Sequence, residues 1–145
     1  MPADIDILHP VIAMIGLTLL VCLHLYFVRV PRMIRDRIHP QKMATRRERA
    51  GVEISRYETL ASDNLQNLFE VPIVFYVTTL LIHMMQLADD LFIGLAWAFV
   101  VTRALHSLVH CSYNKVTHRF MLFISGALIL IFMFLRLAAQ VFFAH

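Results

Sequence analysis

The chain has 145 residues, 59% of them hydrophobic and 16% charged, with a formal net charge of +3. Soluble domains carry about 45–50% apolar and roughly 25% charged residues, so this balance excludes a soluble enzyme, a nucleic-acid binder and a disordered chain. Eleven Phe and eight Met against four Gly point to helices with bulky, lipid-compatible surfaces.

A membrane-spanning helix needs about 20 mostly apolar residues, and the first such run covers residues 7–30. The six residues ahead of it are acidic rather than basic, and no small-residue cleavage site follows. It therefore reads as a retained span rather than a cleavable signal. Residues 31–63 form a connection that carries Arg32, Arg35, Arg37, Lys42, Arg46, Arg47, Arg49 and Arg56. These bases are interleaved with Asp36, Glu48, Glu53 and Glu58, a pattern that suits lipid headgroups rather than nucleic acid. Residues 41–60 are expected to form an amphipathic interfacial helix.

Further apolar runs at 65–87, 91–111 and 120–143 complete a single four-span domain over 1–145. Residues 88–90 hold two Asp and no base, whereas the third connection adds Lys115 and Arg119. Basic residues in short loops stay cytoplasmic. Both basic connections are therefore expected in the cytoplasm, with both termini and the acidic turn across the membrane, in a cell inner membrane. The fold class this predicts is all-α, an integral membrane four-helix bundle. Cys22 and Cys111 show no disulfide or metal spacing and read as small buried hydrophobes.

Ionisable residues inside spans are costly and usually face the bundle interior. Asp63, Asn67 and Glu70 follow i, i+4, i+7 spacing and share one helix face; Arg103, His106 and His110 share another. At 1.5 Å per residue, Glu70 lies roughly 10 Å and Arg103 roughly 12–13 Å from the same membrane face. A Glu70–Arg103 pair is expected, because an unpaired buried charge costs several kcal/mol. His24, Arg29, His118 and Arg119 approach this layer from the first and fourth spans, and the excess of bases suggests an anionic ligand. A purely structural role as interhelical glue is the competing reading. Pro72 removes one backbone donor beside the cluster and is expected to loosen the helix there. Arg136 is expected to snorkel or to pair with Asp89 or Asp90, and His9 and His83 to sit at the far interface.

The four spans, the basic first connection, Asn67-Leu-Phe-Glu70 with Pro72, Arg103-Ala-Leu-His106-Ser-Leu-Val-His110 and Arg119 together resemble the MAPEG family, in its bacterial form. These are the membrane-associated proteins in eicosanoid and glutathione metabolism. The resemblance implies a homotrimer with glutathione sites between subunits near the cytoplasmic face. Asn67 and Glu70 would contact the tripeptide, Arg103 would support Glu70, His106 would take a ligand position, and Arg29 would match the base ending span one. Arg119 would stabilise the thiolate, with His110 or Tyr113 donating to a leaving oxygen. The chain departs from the glutathione-using pattern at Gln66 and Asp63, positions often held by Arg in those members.

The activity implied is a glutathione-dependent transferase or peroxidase for lipophilic electrophiles reaching the site through the bilayer. The family also contains a lipid-binding protein without catalysis, so a non-catalytic lipid-binding or scaffold role is the alternative. A haem-binding cytochrome using His9, His83 and His24 with His106 or His110, and a zinc site at His106, His110 and His118, are remoter readings. The former leaves the Arg–Glu–Asn cluster without a purpose.

Overall fold

The computed structural model describes residues 5–43, 51–52 and 54–143. Four α-helices dominate: α1 Leu8–Arg35, α2 Arg56–Met84, α3 Asp90–Cys111 and α4 Val116–Phe143, with a short 3-10 helix at Pro40–Met43. All four are long and apolar enough to cross a membrane, and the chain is a multi-pass membrane protein. The surface bears this out in chemical terms. Phe27 is 70% exposed and Leu135 59%, while Arg103 and His110 are each 1% exposed. A chain that turns Phe outward and Arg inward has lipid rather than water as its solvent.

The helix ends follow from local chemistry. α1 runs through Pro31 to Arg35, beyond the expected limit at residue 30. It closes with Arg37 in the left-handed region (φ 50°), as the Arg37 N–H reaches the Ile34 carbonyl at 3.3 Å and the Ile38 N–H the Met33 carbonyl at 2.9 Å. α2 starts at Arg56 because Ser55 Oγ accepts the Glu58 N–H at 3.2 Å. The interfacial helix expected over 41–60 is accordingly not continuous: a 3-10 turn occupies its start, and α2 takes only its end. Residues 44–50 and 53 of that stretch lie outside the described residues. α2 passes through Pro72 without a break and ends at Met84, before left-handed Gln86 (φ 57°). Asp89 then caps α3, its Oδ1 accepting the Phe92 N–H at 2.9 Å.

α3 packs chiefly on α4 and α1 on α2, with α2 also against α3 and α4. Phe75 stacks on Phe99 at 4.5 Å between ring centroids, in a core with Met14, Leu68, Ile82, Phe92 and Met133. Since lipid tails are as apolar as Leu, close packing and polar clasps must hold the helices together. Gly126 supplies the close packing: a Cβ there would stand 2.8 Å from both Arg103 Nη2 and Thr102 Oγ1. Arg136 supplies a clasp at the acidic end, grasping both Asp89 oxygens, with its Nη1 2.8 Å from Oδ1. Its guanidinium lies 4.1 Å from the Phe92 ring centre. That guanidinium holds the Asp89 carboxyl below the usual carboxylate range.

Candidate functional site

The polar residues of the basic end do not form one layer. They divide into clusters, and the one at the α3–α4 end has the makings of a site. Arg119 Nη1 donates to His110 Nε2 and to Asn114 Oδ1, each at 3.0 Å. A guanidinium can only donate, so His110 Nε2 is the lone-pair nitrogen and its proton sits on Nδ1. His106 has the opposite pattern of contacts. Its Nδ1 lies 3.1 Å from the Arg119 carbonyl oxygen, which can only accept. His106 Nδ1 therefore carries the proton, and the buried Nε2 keeps a lone pair that meets no partner among the described residues.

A cavity of about 180 Å³ opens here, lined by Asn67, His106, Val116, Arg119, Phe120 and Phe123. Both acceptors of the Arg119 guanidinium are neutral, and it pairs with no carboxylate among the described residues. The cavity thus combines a cation, an imidazole ring whose bare Nε2 is itself buried, and aromatic walls. It suits an anionic head or a thiolate held beside an apolar group. Ligand pockets usually run to about 300–1,000 Å³, so the cavity within one copy of the chain is smaller than most.

Arg103 lies deeper and faces α4. Its guanidinium sits 5.3 Å from the Phe99 ring centre and 4.9 Å from that of Phe123, and Nη2 donates to the Phe123 carbonyl at 3.0 Å. The expected Glu70–Arg103 pair is absent among the described residues. Glu70 is exposed and accepts from Gln66 Nε2 at 3.1 Å, in an apolar groove of about 470 Å³ shared with Val74, Ala127, Leu130 and Phe134. The depth estimate was not enough, because two groups at one level can still point in different directions. The Asp63–Asn67–Glu70 face is likewise not the interior one. Asp63 and Glu70 are exposed and Asn67 is half-buried, donating to the Asp63 carbonyl at 3.1 Å. The interior face of α2 carries Asn64 and Leu68 instead.

Arg29 belongs to a second cluster. Its Nε donates to Glu58 Oε1 at 2.8 Å, and Arg32 Nη1 donates to Glu58 Oε2 at 2.9 Å. Glu58 is 1% exposed, and its carboxylate is fully engaged. Arg29 is therefore tied to a structural clasp and does not reach the Arg119 cavity. In the sequence Glu58 is one acid among many bases. The available signal was Ser55 three residues ahead of it, a capping pattern that places Glu58 in the first helical turn.

A third cluster ties α2 to α3: Ser107 Oγ donates to Asn64 Oδ1 at 3.2 Å, and Asn64 Nδ2 donates to Cys111 Sγ at 3.4 Å. Cys111 is half-buried in this arrangement, whereas Cys22 is exposed rather than buried as expected. Tyr113 stands apart from Arg119, its hydroxyl 3.0 Å from His118 Nδ1. Among the described residues no three His, Cys, Asp or Glu side chains are grouped to hold a metal ion. The expected pairing of Arg136 with an aspartate of the acidic turn is formed, with Asp89.

Four membrane-length helices with a polar cavity at the α3–α4 end define a multi-pass membrane protein. A model of the MAPEG family matches residues 7–139, and the chain belongs to that family. No curated protein and no solved structure gives a match.

Proposed function

We infer that the protein is a glutathione-dependent transferase or peroxidase acting on lipophilic electrophiles. The observation that carries this reading is Arg119, a cation with only neutral acceptors, in the wall of a cavity that it shares with Asn67 and His106. Glutathione would supply a thiol that becomes the nucleophile. A guanidinium beside that thiol favours its thiolate and lowers its pKa. Asn67 would add a polar contact to the tripeptide from α2, and the buried Nε2 of His106 would meet it only after that ring shifts. Phe120 and Phe123 provide an apolar wall for the electrophile.

His110 is buried behind Arg119, so its role is to orient that guanidinium rather than to donate to a leaving group. Glu70 would act from the neighbouring groove, and buried Arg103 would hold α4, the helix that carries Arg119. The outward Asp63–Gln66–Glu70 face, costly in lipid, supports association of three copies with the remainder of each site supplied across the interface. The basic ends of the helices would face the cytoplasm, with the termini opposite, in a cell inner membrane.

A second reading has its own observation. The apolar groove of about 470 Å³ between α2 and α4, with Glu70 as its polar group, suits a lipid chain and favours non-catalytic lipid binding. Titration calorimetry of the purified protein in detergent, with ultraviolet absorbance for thiolate, separates the two. The enzyme reading expects millimolar or tighter glutathione binding with a thiolate signal that Arg119→Ala removes. Absence of binding at millimolar glutathione would leave the lipid reading standing.

A further inference from the structure

The turn that closes α1 forms a second polar recess, which shares Arg32 with the Glu58 clasp. Its volume is about 350 Å³, and Arg32, Asp36, Arg37, Lys42 and Gly51 are among the residues that line it. Three cations and one carboxylate give these side chains a formal charge of +2. Both oxygens of that carboxylate are already engaged by arginines. Asp36 Oδ1 meets Arg35 Nε at 2.9 Å, and Oδ2 meets Arg32 Nε at 3.3 Å. The hydrogen bond from Arg35 holds the Asp36 carboxyl below its ordinary range. Arg32 is itself anchored on buried Glu58 at 2.9 Å. Arg37 and Lys42, by contrast, meet no carboxylate among the described residues.

Backbone geometry adds a second observation. Arg37 occupies the left-handed position that ends α1, with φ 50°. Glycine is the usual occupant of that position, and Asn the next most comfortable. Here the position carries a long cation, and the turn it makes delivers that cation to the recess. α1 is long and apolar enough to cross a membrane and ends at Arg35, so the recess lies just beyond the end of a candidate span, where a headgroup could reach it.

We propose that the Arg32–Arg37–Lys42 recess binds a phosphomonoester dianion. Two negative charges balance the lining, and phosphate oxygens match guanidinium forks and an ammonium group. A phosphodiester carries one charge and leaves one cation unmet. The same chemistry can come from phosphatidic acid in the facing leaflet or from soluble phosphate. The proposal does not depend on glutathione chemistry.

The test uses the full chain purified in detergent. Native mass spectrometry measures retained phosphatidic acid against phosphatidylglycerol, with inorganic phosphate as competitor and sulfate-free chloride buffer at equal ionic strength as control. Arg37→Asn preserves the left-handed turn and Lys42→Gln leaves the backbone untouched, so either protein should fold. Phosphatidic acid should be retained over phosphatidylglycerol, with retention falling about fivefold for each cation removed. If inorganic phosphate leaves that retention unchanged, the source is the lipid headgroup; if it displaces the lipid and raises the wild-type unfolding temperature, the site takes soluble phosphate. Equal retention of the two lipids with no phosphate-dependent shift, or full retention by both variants, overturns the proposal.

Discussion

The guanidinium of Arg119 donates to His110 Nε2 at 3.0 Å, and a hydrogen bond of that polarity requires a neutral imidazole. His110 is therefore an acceptor that steers a cation. Under the glutathione reading, His110→Ala should lower the thiolate signal at fixed pH about tenfold, the scale of a lost hydrogen bond to a charged group. His110→Gln, which offers an amide oxygen, should recover part of it. Ultraviolet thiolate absorbance reads both, and equal losses in the two variants would count against orientation as the role.

Gly126 is the point at which α4 meets Arg103. A methyl group there would lie 2.8 Å from Arg103 Nη2, which Phe99 and Phe123 flank, and 2.8 Å from Thr102 Oγ1. Gly126→Ala should destabilise the protein by about 1–3 kcal/mol through overpacking, outweighing the helix propensity gained, about 1 kcal/mol. A raised unfolding temperature in detergent would show that the guanidinium yields without cost.

Glu58 holds two arginines from within the bundle. Glu58→Gln leaves Arg29 and Arg32 without their shared carboxylate and should cost about 3 kcal/mol, as breaking a buried pair from one side does. Arg29→Ala, which leaves Glu58 paired with Arg32, should cost less. Denaturation of both variants in the same detergent gives the order, and a milder effect for Glu58→Gln would demote the clasp.

Asp89 has two duties, as cap of α3 and as partner of Arg136, and they can be separated. Asp89→Asn keeps the cap and loses the ion pair, at about 0.5–1 kcal/mol for a half-exposed pair; Asp89→Ala should lose about 1 kcal/mol more with the cap. The pair also gives a pH signature. The folded carboxyl lies below its unfolded value, which is about 3.9. Its contribution is present above that value and disappears as pH falls through the lower folded one. An acid series of unfolding temperatures should show this loss in the wild type and not in Asp89→Asn.

Hydropathy made the four helices legible because lipid exposure imposes apolar side chains along whole lengths of helix, and the core around Phe75 and Phe99 lies within those same stretches. Their ends were less legible. Ser55 starting α2 and Arg37 closing α1 act through single hydrogen bonds that hydropathy does not register. Within the site, chain spacing correctly put His106 and His110 on one face of α3, but the facing residue on another helix depends on rotation about each axis. Arg103 turns to α4, Glu70 turns outward, and Glu58 finds its arginines across a turn. The tautomers of the two histidines are properties of three-dimensional partners and have no counterpart in the sequence.

The ion-pair clasps sit at opposite ends of the molecule. The Arg136–Asp89 clasp closes the α3–α4 hairpin at the end away from its turn, making a loop that is fastened at both extremities. Glu58 fastens α1 to α2 beside their connection, and among the described residues no ion pair joins the Leu8 end of α1 to another helix. At that end α1 is held by packing instead, with Ile7 and Met14 fully buried in the core. The two ends of α1 are thus secured by different chemistry, charge at Glu58 and close-fitting apolar side chains at Met14. Shortening Met14 should therefore loosen that end and leave both ion pairs in place.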